Sequence, residues 1–363
     1  MACLAPQQIM PKFLWKHVIT HLSYNNIIKL TVNNHFAEVI DSDAGKDSFF
    51  NDRPDAIVIV KCGSKRMKYF WKYAQSNYTV CNDIEHMYDI VQRENSIEPF
   101  YCKVFIKRGC YHFIRHGYNK GTVFNNAKSD IEITGNNKTD TIIQAYYKPP
   151  YTNCYAIFYE GYISIKNITF YGIPHVFEKQ AKHYGDDAST LSISNCIFDQ
   201  SFLSIKYIDK VSISNCKFIE SVLWADNYRM EPINYTICNN IFLMLRSNEA
   251  SIFYICNNSS QSIINITDNI FNNIANVSVL LLSVVLLSTS FNTGTFVFNN
   301  NSISNIKSCI KYFDCSKSKI KFRKNVFRNI SKLFHNDKTN MVELDSDNTF
   351  IDCGTELTKY IKK

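Results

Sequence analysis

Four groups of residues in this chain are of types that do chemistry. Asp186 and Asp187 are adjacent carboxylates directly after Gly185, in a stretch of loop composition. Cleaving a glycosidic bond needs an acid and a second carboxylate held apart at a fixed separation, which two neighbours in one loop do not supply alone. Cys110, His112 and His116 are zinc-ligating types, but they fall on a predicted strand and turn with no fourth ligand nearby, and structural zinc takes four. His17 and His21 share one face of a predicted helix at four-residue spacing, without a carboxylate near them, and line a partner surface. Lys317, Lys319, Lys321 and Arg323 alternate with Ile320 and Phe322, so on a strand all four cations project from one outer face, with Lys324, Arg328 and Lys332 close by. Such a face is either a solvated, aggregation-resistant strand or a site for an acidic protein segment or phosphate. No cofactor and no metal is expected.

The elements that position these groups come from a phrase that recurs. Leu191, Ile193, Asn195, Cys196 and Phe198 form one copy, and Val211, Ile213, Asn215, Cys216 and Phe218 the next. Two apolar residues spaced by two read as a strand; an Asn then breaks the alternation, and two more residues spaced by two follow. One face stays apolar only if the chain bends at the Asn, a residue that tolerates the left-handed conformation. Further copies start at Ile163, Tyr235, Ile264, Phe296 and Ile320, and a looser one ends at Phe350. From one terminal Phe or Ile to the next the steps are 28, 20, 24, 29, 32, 24 and 23 residues. Propeller blades need about 40 residues or more, so these steps point to a solenoid. Leucine-rich repeats would show a Leu framework, whereas Ile, Val and Phe dominate here. The pattern predicts a parallel β-helix, each copy one coil, with stacked bends forming an Asn ladder.

With 363 residues and 45% hydrophobic content the chain can bury a large core as one solenoid. Its richness in Asn, Ile, Lys and Tyr reads as the imprint of an AT-rich coding sequence. Thirteen Cys without a C-x-x-C pair, several at inward repeat positions, fit a reducing compartment. No signal peptide is expected at the N-terminus. The most apolar stretch, 277–287, is too short to cross a membrane and is broken by Ser278 and Ser283. A net charge of +8 permits an acidic partner without demanding one. Lys65 to Tyr73 mixes cations with aromatics, but its helical spacing predicts a docking helix and not a nucleic-acid site.

Residues 8–42 stand outside the repeat. Pro11 opens a helix carrying Leu14, Trp15, Val18, Ile19 and Leu22; Ser23 caps a second with Ile27, Ile28, Leu30 and Val32; Phe36, Val39 and Ile40 suit a third. Three helices this short bury too little surface alone and need a partner. Met10-Pro11, Leu14-Trp15, Ile19, Leu22-Ser23, Ile27, Leu30, Val32 and Phe36 resemble the F-box pattern. The chain departs from it at Met10, where the family favours Leu, and at Asn33-Asn34-His35, where a Cys and basic residues are common. The resemblance implies docking on the Skp adaptor of a cullin-RING ubiquitin ligase through Pro11, Leu14, Trp15, Ile19, Leu22, Ile28, Leu30, Val32 and Phe36.

After a connector and capping helices at 43–95, including a helix capped by Asn82 that carries Ile84, Met87, Tyr88 and Val91, the chain reaches Val104, Ile106, Gly109, Tyr111, Ile131, Ile133 and Ile142. This passage resembles the opening of pectin-lyase-like right-handed parallel β-helices, which the solenoid at 96–355 continues before a charged tail at 356–363. F-box followed by β-helix is the order found in a family of eukaryotic substrate receptors. That resemblance implies a non-catalytic receptor in the cytoplasm or nucleus, binding a target protein but neither membrane nor nucleic acid, from an AT-rich eukaryote or a large DNA virus. The alternatives are a carbohydrate-active β-helix with a helical cap and a structural or adhesive one. The Asn-Thr-Asp, Gly-His-Gly and Arg-Ile-Lys words of the fold's hydrolases are absent, as are the calcium-binding Asp clusters of its lyases, so no enzyme is expected.

Overall fold

The computed structural model describes residues 57–61, 78–81, 83–84, 86–87, 90–91, 101–113, 122–126, 130–145, 154–158, 161–179, 189–227, 231–244, 251–257, 259–273, 283–287, 293–306, 308–312, 317–334 and 342–354. These residues form a parallel β-helix. Its strands stack into three sheets of twelve, ten and nine strands, called here A, B and C. Coils 1 to 9 each visit A, then B, then C, the described part of coil 10 visits A and B, and the strands of successive coils pair in parallel. The sheet A strands number the coils: Tyr101–Ile106 is coil 1, Asp130–Gly135 coil 2, Gly161–Lys166 coil 3, Ser189–Ser194 coil 4 and Lys210–Ser214 coil 5. Asn234–Cys238, Ile263–Thr267, Thr293–Asn299, Lys317–Arg323 and Val342–Leu344 complete coils 6 to 10.

The repeated phrase maps onto this frame residue by residue. In coil 4 Leu191 and Ile193 point inward from sheet A, and in-register pairing sets them between Ile163 and Ile165 of coil 3 and Val211 and Ile213 of coil 5. Asn195 turns the corner with φ of 54°, and Asn167, Asn215, Asn239, Asp268, Asn300 and Lys324 do the same in their coils. This is the left-handed conformation that Asn and Asp adopt at least cost. Phe198 then starts the inner face of sheet B. Its ring stacks between those of Phe170 and Phe218, at 5.2 and 4.9 Å between centroids, and the column runs on through Phe242 and Phe271. Because coils 3 to 7 each place a Phe at the same point, in-register stacking follows from the period, and Ile143 and Ile303 take that point in coils 2 and 8.

The bend resolves into two columns where one was expected. The left-handed residues form an outer column, in which Asn195 Nδ2 donates to Asn167 Oδ1 and Asn300 Nδ2 to Asp268 Oδ1, both at 2.6 Å. The residue after each bend points inward, and there Asn240, Asn269, Asn301, Asn325 and Asn348 form a second ladder. All but Asn348 are fully buried.

A second tight corner joins B to C. Gly172, Gln200, Glu220, Asn305, Asn329 and Asp352 take positive φ there. Behind it Ser201 and Ser221 are buried, the hydroxyl of each accepting the backbone N–H of the preceding coil at 3.3 and 3.0 Å. The same hydroxyls donate to the carbonyls of Phe170 and Phe198.

The first edge of sheet A is closed by an antiparallel pair, Ile57–Lys61 between Tyr78–Cys81 and coil 1. Helical residues within 84–91 bury Ile84, Met87 and Val91 beside it. The expected capping helix is therefore present, but Asp83 caps it, its Oδ1 accepting the His86 N–H at 2.6 Å. Ile143, not Ile142, faces the core in coil 2, because the excursion at 136–140 shifts the parity by one. At Gly135 a Cβ would lie 2.2 Å from the Asn167 carbonyl oxygen, so the coils approach there only without a side chain.

Candidate functional site

The proposed adaptor-binding residues Pro11, Leu14, Trp15, Ile19, Leu22, Ile28, Leu30, Val32 and Phe36 lie outside the described residues, as do His17, His21, His116, Asp186, Asp187 and the 65–73 segment. Cys110 and His112 stand exposed on the first strand of sheet B, Gly109–Phe113. The amide of Gln144, from coil 2, reaches the His112 ring at 3.3 Å. Among the described residues no three His, Cys, Asp or Glu gather as metal ligands.

The cationic strand is placed as the alternation requires. Lys319, Lys321 and Arg323 occupy the outer positions of coil 9, and Lys317 begins the same strand. Coil 10 sets carboxylates against them. Glu343 meets Lys319 at 2.7 Å and Lys321 at 3.2 Å, and Asp345 meets Arg323 at 2.9 Å. Hydrogen bonding to Lys319 holds the Glu343 carboxyl below its usual range. The sequence reading missed these acids because they come from the next coil, where strand register and not proximity in sequence decides the neighbours.

A different cluster gathers around the B-to-C corner of coils 3 to 5. On sheet B the outward position runs Tyr171, Asp199, Ile219 through coils 3, 4 and 5, at a rung repeat of about 4.8 Å. Lys217 lies on the same face, and Glu220 sits at the corner itself. Tyr171 is 41% exposed. Burial first, and then the charge of Glu220, push the Asp199 carboxyl above its ordinary range, with Lys217 pulling the other way. Past the corner, on sheet C, Phe202 and Trp224 are half-buried on adjacent coils, their rings 6.0 Å apart and inclined by 58°. A proton donor with a raised pKa, a phenol, an amine and an aromatic pair thus lie within three coils. No signal in the sequence singled them out, since each belongs to a different repeat and only stacking unites them.

The fold and this corner define a parallel β-helix protein with a mixed aromatic and ionisable surface. No family model and no curated protein matches the chain. Two solved structures are similar. The A-module of the Azotobacter vinelandii mannuronan C-5 epimerase AlgE4 shares 12% identity at a TM-score of 0.37, over 75% of this chain and 93% of that one. The A-module of the epimerase AlgE6 from the same organism shares 8% at a TM-score of 0.32, over 74% and 95%. Both are enzymes built on a β-helix, and the expectation that this chain is not an enzyme is corrected on that finding. At such identity the likeness is one of fold, and neither the substrate nor the reaction of those proteins passes to this chain.

Proposed function

We propose that this β-helix binds polymeric carbohydrate and acts on it at the B-to-C corner of coils 3 to 5. The observation that carries the reading is the pairing of Phe202 and Trp224 with an acid, Asp199, whose proton is held to higher pH than usual. Aromatic rings offer flat apolar area to the faces of sugar rings, and binding sites combine such area with a few convergent polar groups. A carboxyl with a raised pKa is suited to give a proton to a glycosidic or ring oxygen. Tyr171 and Lys217 lie beside it to hold hydroxyl or carboxylate groups. Rigid stacked coils keep these groups in place.

The test is direct. The purified chain is run in native gels containing starch, xylan, pectate or alginate, and incubated with each while new reducing ends and proton NMR spectra are followed. Trp224→Ala is expected to weaken retardation, and Asp199→Asn to abolish turnover while retardation persists. Retardation by none of the four polymers, or retardation that Trp224→Ala leaves unchanged, removes the reading.

A second reading rests on the F-box-like residues Pro11 to Phe36. In it the helical segment docks on a Skp adaptor and the β-helix presents a target protein, in the cytoplasm or nucleus of a eukaryotic cell or of a virus-infected host. A pull-down from such cytosol comparing wild type with Leu14→Asp/Ile19→Asp tests it. Equal adaptor on both, or none on either, rules it out.

A further inference from the structure

On the outer face of sheet B the lane that carries Tyr171 and Asp199 extends in both directions. Toward the first coil it holds Gln144 and His112, and the other way Ile219 of coil 5 and Leu243 of coil 6, all in register. The lane is therefore polar through coils 1 to 4 and turns aliphatic at the rung after Asp199. The second outward lane of the same strands turns aliphatic beside it, where Lys217 of coil 5 is followed by Ile241 and Ile270. Asn272 and Ser302 restore polarity at coils 7 and 8.

Core packing does not account for these four aliphatic residues. The inward position of their strands is filled by Phe218, Phe242 and Phe271, all fully buried. On the solvent side Ile241 is 38% and Ile270 45% exposed, with Ile219 and Leu243 half-buried between them and the corner. Singly exposed aliphatics are ordinary, whereas contiguous ones mark a contact surface. Size decides what kind of contact. Two rung spacings of about 4.8 Å and two lanes about 7 Å apart frame a patch of about 10 by 7 Å. That is on the order of a tenth of the roughly 800 Å² that each partner buries in a stable protein complex, and a membrane surface is broader still. A patch of this size takes a short acyl group.

We propose that the ligand of the corner is a glycan carrying short O-acyl substituents, its sugars on the polar lane and an acyl group on Ile219, Ile241, Leu243 and Ile270. The inference rests on the reading of the corner as a carbohydrate site and adds the class of carbohydrate. Continuity selects this ligand. Asp199 and Ile219 are neighbours one rung apart on a single lane, so a chain that reaches Asp199 from the polar side brings its next substituent over the aliphatic one. An unsubstituted glycan would leave the four aliphatic side chains in water. A free fatty acid would leave Gln144, Tyr171 and Asp199 without a role. An acylated glycan uses both halves, gaining hydrogen bonds on one and buried apolar area on the other.

Affinity electrophoresis of the full chain tests the inference. Starch, xylan, pectate and alginate are each compared with the same polymer O-acetylated and O-butyrylated to one low degree of substitution, which leaves the charge of each backbone as it was. Whichever polymer retards the protein is expected to retard it more when acetylated and most when butyrylated, by about two- to fourfold in apparent affinity for each added methylene. Ile241→Thr/Ile270→Thr keeps β-branched side chains at exposed strand positions. It is expected to abolish that gain and to leave retardation by the unsubstituted polymer unchanged. Trp224→Ala is expected to weaken retardation by all three forms. Equal retardation by the unsubstituted and butyrylated forms, or a gain that survives in Ile241→Thr/Ile270→Thr, overturns the proposal while the reading of the corner stands. Retardation by none of the unsubstituted polymers removes that reading and this inference with it. A dimer in sedimentation velocity that Ile241→Thr/Ile270→Thr dissociates would assign the patch to a second copy of the chain, and also overturns the proposal. Should the double variant misfold by circular dichroism, Ile270→Thr alone is judged by the same criterion, as a loss of the acyl gain.

Discussion

Coils 3 to 5 and coils 8 to 10 solve the same corner with different chemistry. In the later coils the inward ladder is amide throughout. The Oδ1 of Asn325 accepts both the N–H and the Nδ2–H of Asn301 at 3.0 Å, while Asn301 Nδ2 also donates to the Ile266 carbonyl at 2.8 Å. In coils 4 and 5 the same positions are thiols. Cys216 Sγ stands where Oδ1 would and accepts the Cys196 N–H at 3.5 Å, and Cys196 Sγ donates to the Ser194 and Ile165 carbonyls at 3.3 and 3.8 Å. Sulfur fills the space and keeps the pattern with longer, weaker bonds. The outer faces differ in the same sense. Coils 3 to 5 carry hydroxyls, aromatics and a perturbed acid, whereas coils 9 and 10 carry three cations paired with two carboxylates. The bend geometry thus comes from the left-handed outer residue, and the inward residue sets only how firmly one coil is tied to the next. Candidate sites gather where that tie is weaker.

The largest effect that tests this contrast is Asn301→Ala. It takes the side-chain partner from the Asn269 N–H and the Ile266 carbonyl in a buried column, and leaves Asn325 Oδ1 with the residue 301 backbone N–H alone. The expected loss is about 3–5 kcal/mol, read from urea denaturation. Cys216→Ala should cost less, about 1–2 kcal/mol, because the bonds it removes are weak. A Cys216→Ala loss equal to that of Asn301→Ala would show the thiol and amide rungs to be equivalent. The reverse substitution sharpens the point. Cys216→Asn extends the amide ladder by one rung onto the Asn240 carboxamide and should raise the melting temperature by a few degrees, equivalent to about 1 kcal/mol.

What was legible in sequence follows the same division. The bends at Asn167, Asn195, Asn215 and Asn239 and the inward Phe column were readable because each coil repeats one physical requirement at one place. The corner cluster was not, because Tyr171, Asp199, Glu220 and Trp224 are ordinary surface residues until the coils stack. The cap at Asp83 was misplaced by one residue, since Asn82 and Asp83 are equally good capping types and only the backbone shows which accepts the His86 N–H. Glu343 and Asp345 were overlooked for the reason that Lys319 and Arg323 were noticed: alternation within a strand is visible, and register between strands of unequal spacing is not.

Thiol reactivity gives a chemical reading of the interior against the surface. Burial, and then the nearby Asp83 charge, push Cys81 up to about 12. Burial first, and then Cys216, push Cys196 well above the ordinary thiol range. Cys110 is exposed. Iodoacetamide at neutral pH is therefore expected to label Cys110 in the native protein and to leave Cys81 and Cys196 unlabelled until the coils unfold. Rapid native labelling of Cys196 would mean that coils 4 and 5 open far more readily than their packing implies.

Asp199 supplies a smaller effect with a definite sign. Its folded carboxyl holds a proton above the ordinary Asp value of about 3.9, through burial and Glu220. The folded chain thus binds that proton more tightly than the unfolded one, and the stability linked to it is present at low pH and lost as pH rises through the raised value. Melting temperatures of wild type and Asp199→Asn, taken over about pH 4 to 7, should converge at the acid end and separate toward neutrality, with Asp199→Asn the more stable. Parallel curves would place the carboxyl in an ordinary environment and remove the acid from the corner.

The smallest effect on stability belongs to the outer charges of coils 9 and 10. Lys319, Lys321 and Arg323 are paired with Glu343 and Asp345 at the surface, and exposed pairs of this kind contribute little because solvent screens them and both side chains lose freedom. Glu343→Gln should therefore leave the melting temperature within the error of the measurement. It should nevertheless change what the surface binds, since it uncovers two lysines on one strand. An acidic peptide or inorganic phosphate, titrated against wild type and Glu343→Gln at low and moderate salt, should bind the variant more tightly, and the gain should fade as salt rises. If wild type already binds as tightly as the variant, the carboxylates of coil 10 do not mask the cationic strand, and that strand is a site in its own right.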